Sequence, residues 1–403
     1  MKKVIIIGNG AAGMEAARTI REKNQTVEIY IFTNEPYHFY SRIHLSTFIG
    51  DNTSPEDILI YPPSWYADQN IHVLLKTPVL EINPVKNYIL DNEGKKYGYD
   101  KLIIASGARP IVPLLEGVEK SGIFTLRNLN DALEIRKFIQ HCTEAVIVGG
   151  GILGIESAFS LNKNSIHVTI VELKNQIMPR QLDKDGSLAL QRILEKGGIQ
   201  FRTSAKVQEF KGHPHLNSIV LNNNEEIPAQ MAIISAGISP NIELAGKAGI
   251  RVNKGILVNE NMQTNFNNVY AAGDIAEFKG TIYGIWPAAV DQGSIAAKHL
   301  LGIPSDYQGS LPLHILKVAG VELTTFGQIN KSRKNDHEIV YDNQEEDKYI
   351  KIIHNGSYIL GAVVLGMPGI GFRLERLLRQ KKPIREYLPY FEKGEWNILR
   401  SKK

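Results

Sequence analysis

The sequence predicts an α/β chain: two doubly wound βαβ units, the first interrupted by the second, with a small α/β domain at the C-terminal end. Three observations support this reading. Two glycine-rich loops begin at Gly8 and Gly149, 141 residues apart, each between a short β-branched apolar run and a stretch of helical periodicity. Each unit closes on a similar apolar strand that runs into glycine and proline. These are Leu102-Ile103-Ile104-Ala105 ahead of Ser106-Gly107-Ala108-Arg109-Pro110, and Ala232-Ile233-Ile234-Ser235-Ala236-Gly237 ahead of Pro240. From about Leu311 the texture changes to short strands and turns. A length of 403 residues allows two to four domains. The motifs resolve this to three: 1–112 together with 238–310, then 113–237, then 311–403.

In chain order, residues 4–7 are a short, wholly apolar, β-branched run that reads as a strand. Gly8-Asn9-Gly10-Ala11-Ala12-Gly13 follows, then a helix over 14–20 and a second strand over 27–32. The later copy has a strand at 145–148, Gly149-Gly150-Gly151-Ile152-Leu153-Gly154, a helix over 155–161 and a strand over 167–171. Residues 269–272 form another strand, ending in Gly273-Asp274. A helix-prone stretch over 288–301 is broken by Gly302-Ile303-Pro304. The last part reads as strands at 314–318, 322–326, 338–341, 349–353 and 358–365, a basic helix over 372–380 and a proline-interrupted tail.

Composition removes several classes of function. The single Cys142 excludes an intrachain disulfide, a four-cysteine zinc site and an intramolecular dithiol pair. No metal centre is expected. A net charge of +4 is too small to imply nucleic acid. No run of about 18 apolar residues occurs, so no membrane span is expected. The apolar start stops at Gly8 without the cleavage pattern of a signal peptide, and the expected location is the cytoplasm.

In a βαβ unit the first loop glycine permits the tight turn, the second lets backbone approach a pyrophosphate, and the third lets helix and strand pack closely. The helix N-terminus then holds phosphate on its free N–H groups. One such loop is weak evidence; two, both between strand and helix, point to two Rossmann-like dinucleotide-binding domains. An acid should follow each loop to hold the adenosine ribose. In the second unit this is Glu172, whose carboxylate also repels a 2′-phosphate, and no Arg follows it to receive one. NADH is therefore expected ahead of NADPH, although Lys174 lies close by. In the first unit the candidate is Glu35, with an exposed turn residue before Pro36 as the alternative. Two dinucleotides in one chain suggest a flavin and a nicotinamide between which hydride passes.

These residues resemble the pyridine nucleotide-disulfide oxidoreductase superfamily over about residues 1 to 300. Gly8, Gly10, Ala11, Ala12 and Gly13 match its FAD fingerprint. Gly149, Gly151, Ile152, Leu153 and Gly154 match its NAD fingerprint. Ala105, Ser106 and Gly107 end a stretch similar to its ATG-like motif, with Ser106 in place of the usual Thr. Gly273 and Asp274 match the late motif whose Asp meets the FAD ribityl chain; a helix cap is the other reading of Asp274. Within the superfamily the chain is most similar to NADH:rubredoxin oxidoreductases and the flavin region of nitrite reductase large subunits. Pro36-Tyr37-His38-Phe39-Tyr40-Ser41-Arg42-Ile43-His44-Leu45-Ser46 is similar to their Tyr-x-Arg-x-x-Leu stretch, where the Arg meets FAD. Arg180-Gln181-Leu182-Asp183 resembles another segment of the same subgroup. Thr47 stands where relatives serving oxygenase ferredoxins carry Lys. The resemblance further implies adenine contacts from the Val79 backbone, an NAD contact at Gly237, and a Glu156 that points toward flavin and nicotinamide. A helix-surface carboxylate is the other reading of Glu156, as core packing is of Trp286.

The resemblance implies an FAD-dependent oxidoreductase that takes hydride from NADH and passes electrons to a small redox protein such as rubredoxin or ferredoxin. The thiol of relatives that use cysteine has no counterpart between Tyr40 and Phe48, so thiol catalysis is not expected. Residues 371–403 hold ten Lys and Arg against four Glu, either a solvated basic tail or a face that steers an acidic carrier. Three alternatives remain: a thiol-free NADH oxidase using O₂, the electron-input component of a nitrite-reductase-like complex, and a slow NADH-sensing flavoprotein.

Overall fold

The computed structural model describes residues 1–401. Its packing divides the chain into two compact units. The first comprises Met1–Arg42, Thr53–Arg109 and Ile238–Ser310; the second comprises Ile43–Asn52, Pro110–Gly237 and the chain from Leu311 onward.

The first unit is built on a five-stranded sheet in the order Val269–Ala271, Lys101–Ile104, Lys3–Ile7, Glu28–Phe32, Ile71–Leu74, all neighbours parallel. Val4, Ile5 and Ile6 are fully buried, as a central strand with both faces covered requires. The helices Ala11–Lys23 and Trp286–Leu300 pack against each other on one face, so closely that a Cβ on Gly293 would stand 2.3 Å from the Ala12 carbonyl oxygen. The unit also holds an antiparallel sheet of Val79–Asn83, Tyr88–Asp91 and Lys96–Gly98.

The second unit repeats the plan. Its parallel sheet runs Gln200–Arg202, His167–Val171, Glu144–Val148, Met231–Ile234, Ile123–Thr125. The C-terminal part adds an antiparallel sheet in the order Leu313–Val318, Val321–Gly327, Ile359–Leu365, Lys348–His354, His337–Asn343. The amphipathic helix Ile370–Arg379 covers it through Ile370, Leu374 and Leu377. The segment Ile43–Asn52 also packs here, its short helix Leu45–Phe48 lying against Leu129–Ile139 and Ile152–Asn162. Arg136 fixes it by donating to the Phe48 carbonyl while its guanidinium lies 3.5 Å from the centre of the Phe48 ring.

The two loop helices begin earlier than the periodicity predicts, at Ala11 and Ile152 rather than 14 and 155. Gly10 and Gly151 are their N-caps, so the last residues of each glycine loop already form the first helical turn. Likewise the later helix starts at Trp286, with proline in its first turn, where the missing N–H costs nothing. Among the described residues no helix is long and apolar enough to cross a membrane.

Candidate functional site: two glycine cradles

The two loops have nearly the same geometry. Gly8 and Gly149 have φ of +111° and +118°, a region that favours glycine, and a Cβ there would stand 2.2 Å from the Ala105 carbonyl oxygen and 2.3 Å from that of Ser235. At Gly13 and Gly154 a Cβ would stand 2.1 Å from the carbonyl oxygens of Gly8 and Gly149. At Gly10 and Gly151 it would meet nothing within 4 Å. The outer glycines are thus required by the fold itself, whereas the middle ones face open space at a helix N-terminus. That combination fits a phosphate-bearing ligand approaching the backbone.

In the first unit, Asn9 lies in the loop with its Oδ1 buried and without a hydrogen-bond partner among the described residues, which suits a polar ligand. Glu35 follows the strand Glu28–Phe32, and its carboxylate accepts from the Tyr40 hydroxyl and the Arg42 guanidinium. Burial opposes the Arg42 charge, but Tyr40, Glu35 and Asp274 outweigh it and hold the guanidinium above its ordinary pKa. Lys76 N–H donates to the Glu35 carbonyl at 3.1 Å and Thr77 N–H to that of Thr33 at 2.8 Å, so the stretch leading into Val79 is anchored beside Glu35. Asn241 holds the closing strand by donating from its side chain to the Ser106 carbonyl at 2.9 Å and from its backbone to that of Gly107 at 3.0 Å. Gly273 N–H donates to the buried Gln292 side chain at 2.8 Å, which sets Asp274 at the end of its strand. Trp286 stacks on Phe39 with ring centres 5.5 Å apart and packs against the hydrophobic core.

In the second unit, Glu172 ends the strand His167–Val171. One carboxylate oxygen accepts from Gly150 N–H at 2.7 Å, and the other from Lys174 N–H at 2.7 Å. The acid is therefore fixed on the glycine loop, and each oxygen retains a lone pair for a further donor. Glu156 lies one turn into the helix Ile152–Asn162 and accepts from the Ser46 hydroxyl at 2.9 Å. Burial pushes its carboxyl above the ordinary range, against the opposing pull of that hydrogen bond. Gly237 follows Ser235 and Ala236, which abut Gly149, and its carbonyl accepts from Ile111 N–H at 2.9 Å. Cys142 is buried, its thiol directed at the Glu144 carbonyl, and desolvation pushes it up to about 11.

Sequence reasoning missed several of these groups. Ser235 occupies in the second cradle the place that Ala105 holds in the first, and the internal repeat supplied the signal for it. Ser46 lies in the stretch that resembles the family, yet nothing local links it to Glu156. Asn241 carried no motif.

A family model described as pyridine nucleotide-disulphide oxidoreductase matches residues 2–293, and one described as rubredoxin NAD+ reductase C-terminal domain matches residues 312–382. The chain is 32% identical over 383 residues to the assimilatory nitrate reductase electron transfer subunit of Bacillus subtilis (strain 168), covering 94% of this chain and 50% of the relative. It is also 32% identical over 380 residues to the NADH-rubredoxin oxidoreductase of Clostridium acetobutylicum, covering 94% of this chain and 95% of the relative. The crystal structure of NADH:rubredoxin oxidoreductase from that organism superposes with a TM-score of 0.79 at 31% identity, over 95% of this chain and 96% of the other. The chain spans about half the length of the curated Bacillus subtilis relatives it matches. With both glycine cradles inside the matched region, the chain belongs to the pyridine nucleotide-disulphide oxidoreductase family, whose members are NAD(P)H-dependent flavoprotein oxidoreductases using FAD and NAD(H).

Proposed function

We propose that this chain takes hydride from NADH onto FAD and delivers electrons to a small redox protein such as rubredoxin or ferredoxin, in the cytoplasm. The observation that carries the proposal is the pair of matching cradles, each with an open middle glycine at a helix N-terminus and a carboxylate within three residues beyond the next strand. When bound, FAD supplies hydride acceptance and single-electron release.

The chain's own residues supply placement and electrostatics. In the FAD domain, 1–112 with 238–310, Gly8, Gly10, Ala11, Ala12 and Gly13 form the loop that receives the pyrophosphate, Gly8 and Gly13 by shaping the turn and Gly10, Ala11 and Ala12 by presenting the start of the helix. Glu35 takes the ribose, with Arg42, Val79, Ala105, Ser106, Gly107, Gly273 and Asp274 around the remainder of the cofactor. In the NAD domain, 113–237, Gly149, Gly151, Ile152, Leu153 and Gly154 do the same for NADH, with Gly237 at its edge. Glu172 accepts from the ribose hydroxyls and disfavours a 2′-phosphate. Glu156, held by Ser46 and with its carboxyl pushed above the ordinary range by burial, lines the approach of the nicotinamide. The residues 311–403 form the third domain.

A second reading has its own support. The half-length match to the nitrate and nitrite reductase proteins fits an electron-input component working beside another polypeptide. Anaerobic stopped-flow mixing of the FAD-loaded protein with NADH or NADPH, followed by addition of rubredoxin, ferredoxin or air, tests both readings. Flavin bleaching by NADH within seconds and fast reoxidation by rubredoxin is the expected result. Tight NADH binding without bleaching refutes the reductase; fast reoxidation by air alone favours an oxidase.

A further inference from the structure

Asp183 stands at the N-cap of the helix Lys184–Lys196, where an Asp side chain ordinarily accepts from the free N–H groups of the first turn, yet it makes no such bond. Its Oδ2 accepts instead from the Tyr349 hydroxyl at 2.7 Å and the Lys351 ammonium at 3.1 Å, both on the strand Lys348–His354 of the C-terminal sheet. Its Oδ1 is buried without a hydrogen-bond partner among the described residues. Asp183, Tyr349 and Lys351 are 5%, 0% and 8% exposed, so the group is held out of water. From the neighbouring strand Val321–Gly327, the Thr325 hydroxyl donates to the Gln181 carbonyl at 2.8 Å. The C-terminal sheet therefore grips residues 181–183 at two points.

That stretch is wired to the second cradle. Gln181 and Leu182 N–H both donate to the Met178 carbonyl at 2.9 Å, and Met178 N–H donates to the Gly150 carbonyl at 2.9 Å. Gly150 N–H in turn holds Glu172. The Ile177 side chain backs the loop, its Cγ2 lying 3.2 Å from where a Cβ on Gly150 would be. Met178 is fully buried at φ +48°, a conformation that a non-glycine residue keeps only where its surroundings impose it. A buried ion pair is a poor source of net stability compared with apolar packing, but it specifies position sharply.

We propose that Tyr349 and Lys351 are positioning residues for nucleotide binding: through Asp183 and the turn 177–182, the C-terminal sheet fixes the Gly149–Gly154 loop and its Glu172 carboxylate. This gives the C-terminal domain a role in NADH affinity and rests on the proposed NADH reading. The test uses the full FAD-loaded chain carrying Tyr349→Phe, Lys351→Met or both, with NADH dissociation constants, KM, kcat, flavin content and Tm measured on each. The double variant is expected to raise Kd and KM for NADH about 5- to 20-fold while kcat stays within about twofold and flavin content is unchanged. Lys351→Arg is expected to retain most of the affinity. A purely structural tie would lower Tm and leave Kd within twofold of wild type, and that result overturns the proposal. Thr325→Val removes only the neutral tie. If the charged variants do not fold, it is expected to raise Kd about 2- to 5-fold, and an unchanged value refutes the proposal equally. Wild-type protein that does not bind NADH overturns the reductase reading itself, an outcome distinct from wild-type binding matched by the variants.

Discussion

Replacing Gly151 with Ala separates what the fold needs from what the ligand needs. Gly151 has φ −80° and ψ −177°, extended backbone that any residue adopts, and an added methyl meets nothing within 4 Å. The loss of unfolded-state freedom stabilises by about 0.4–1 kcal/mol, and Ala in place of Gly at an N-cap costs a comparable few tenths. Net stability should therefore change by no more than about 0.5 kcal/mol. The methyl does occupy the space into which a pyrophosphate must come to reach the helix N–H groups. Losing one charge-assisted hydrogen bond costs about 1.5–3 kcal/mol, or roughly 10- to 100-fold in NADH affinity. Gly154→Ala is the control, since its Cβ would stand 2.1 Å from the Gly149 carbonyl oxygen. Overpacking of that kind costs about 1–3 kcal/mol and should appear in Tm as well as in binding. Thermal melts and NADH titrations of both variants, with flavin content as a check on the untouched first cradle, decide the matter. A Gly151→Ala protein that binds NADH like wild type, or that loses as much stability as Gly154→Ala, refutes the assignment of open space to the ligand.

Glu172→Ala should raise KM for NADH about tenfold and shrink the preference over NADPH, because it removes a ribose acceptor and also frees Gly150; unchanged steady-state selectivity between the two nucleotides would contradict the ribose role. Glu156 titrates above the ordinary carboxylate range in the folded chain, so its contribution to stability is full below about pH 4.5 and is lost as pH rises through the raised value. The Tm of Glu156→Gln should therefore gain on wild type by on the order of 1–3 °C between pH 4 and pH 8, and parallel melting profiles would refute this. Cys142→Ala should leave electron transfer to the acceptor within twofold of wild type, since a buried thiol pushed up to about 11 stays protonated at neutral pH. A large fall in acceptor reduction by this variant would restore thiol chemistry.

The cradles were legible because their constraints are local. A positive φ at Gly8 and a carbonyl 2.1 Å from a Cβ on Gly13 leave their mark on adjacent positions, and the strand before and helix after each loop follow from the hydrophobic period. Glu172 was legible for the same reason, through its fixed distance from the loop. The partnership of Ser46 with Glu156 was not, because it joins residues 110 positions apart and neither has a periodic signature. The Asp183 cluster shows the limit in another way. In sequence Asp183 stands only as the end of the Arg180–Asp183 segment, and the tertiary arrangement alone turns its carboxylate toward Tyr349 and Lys351. The C-terminal strands were placed from the change of texture to short strands and turns, while the extension of one of them to His337 and Asn343 depends on pairing with the strand Lys348–His354.

The excursion Ile43–Asn52 has a topological consequence. The backbone passes from one compact body to the other after Arg42, Asn52, Arg109, Gly237 and Ser310, so neither body is a continuous stretch of chain. A fragment spanning 113–237 would lack the short helix Leu45–Phe48, leaving Arg136 without its ring and carbonyl and Asn164 without the Gly50 carbonyl. Residues 43–52 belong to the same body as 110–237, so a fragment carrying the second cradle is whole only when this distant stretch is supplied with it. The second body is thus assembled from three separated stretches of chain, and cutting the backbone at a single point cannot isolate it.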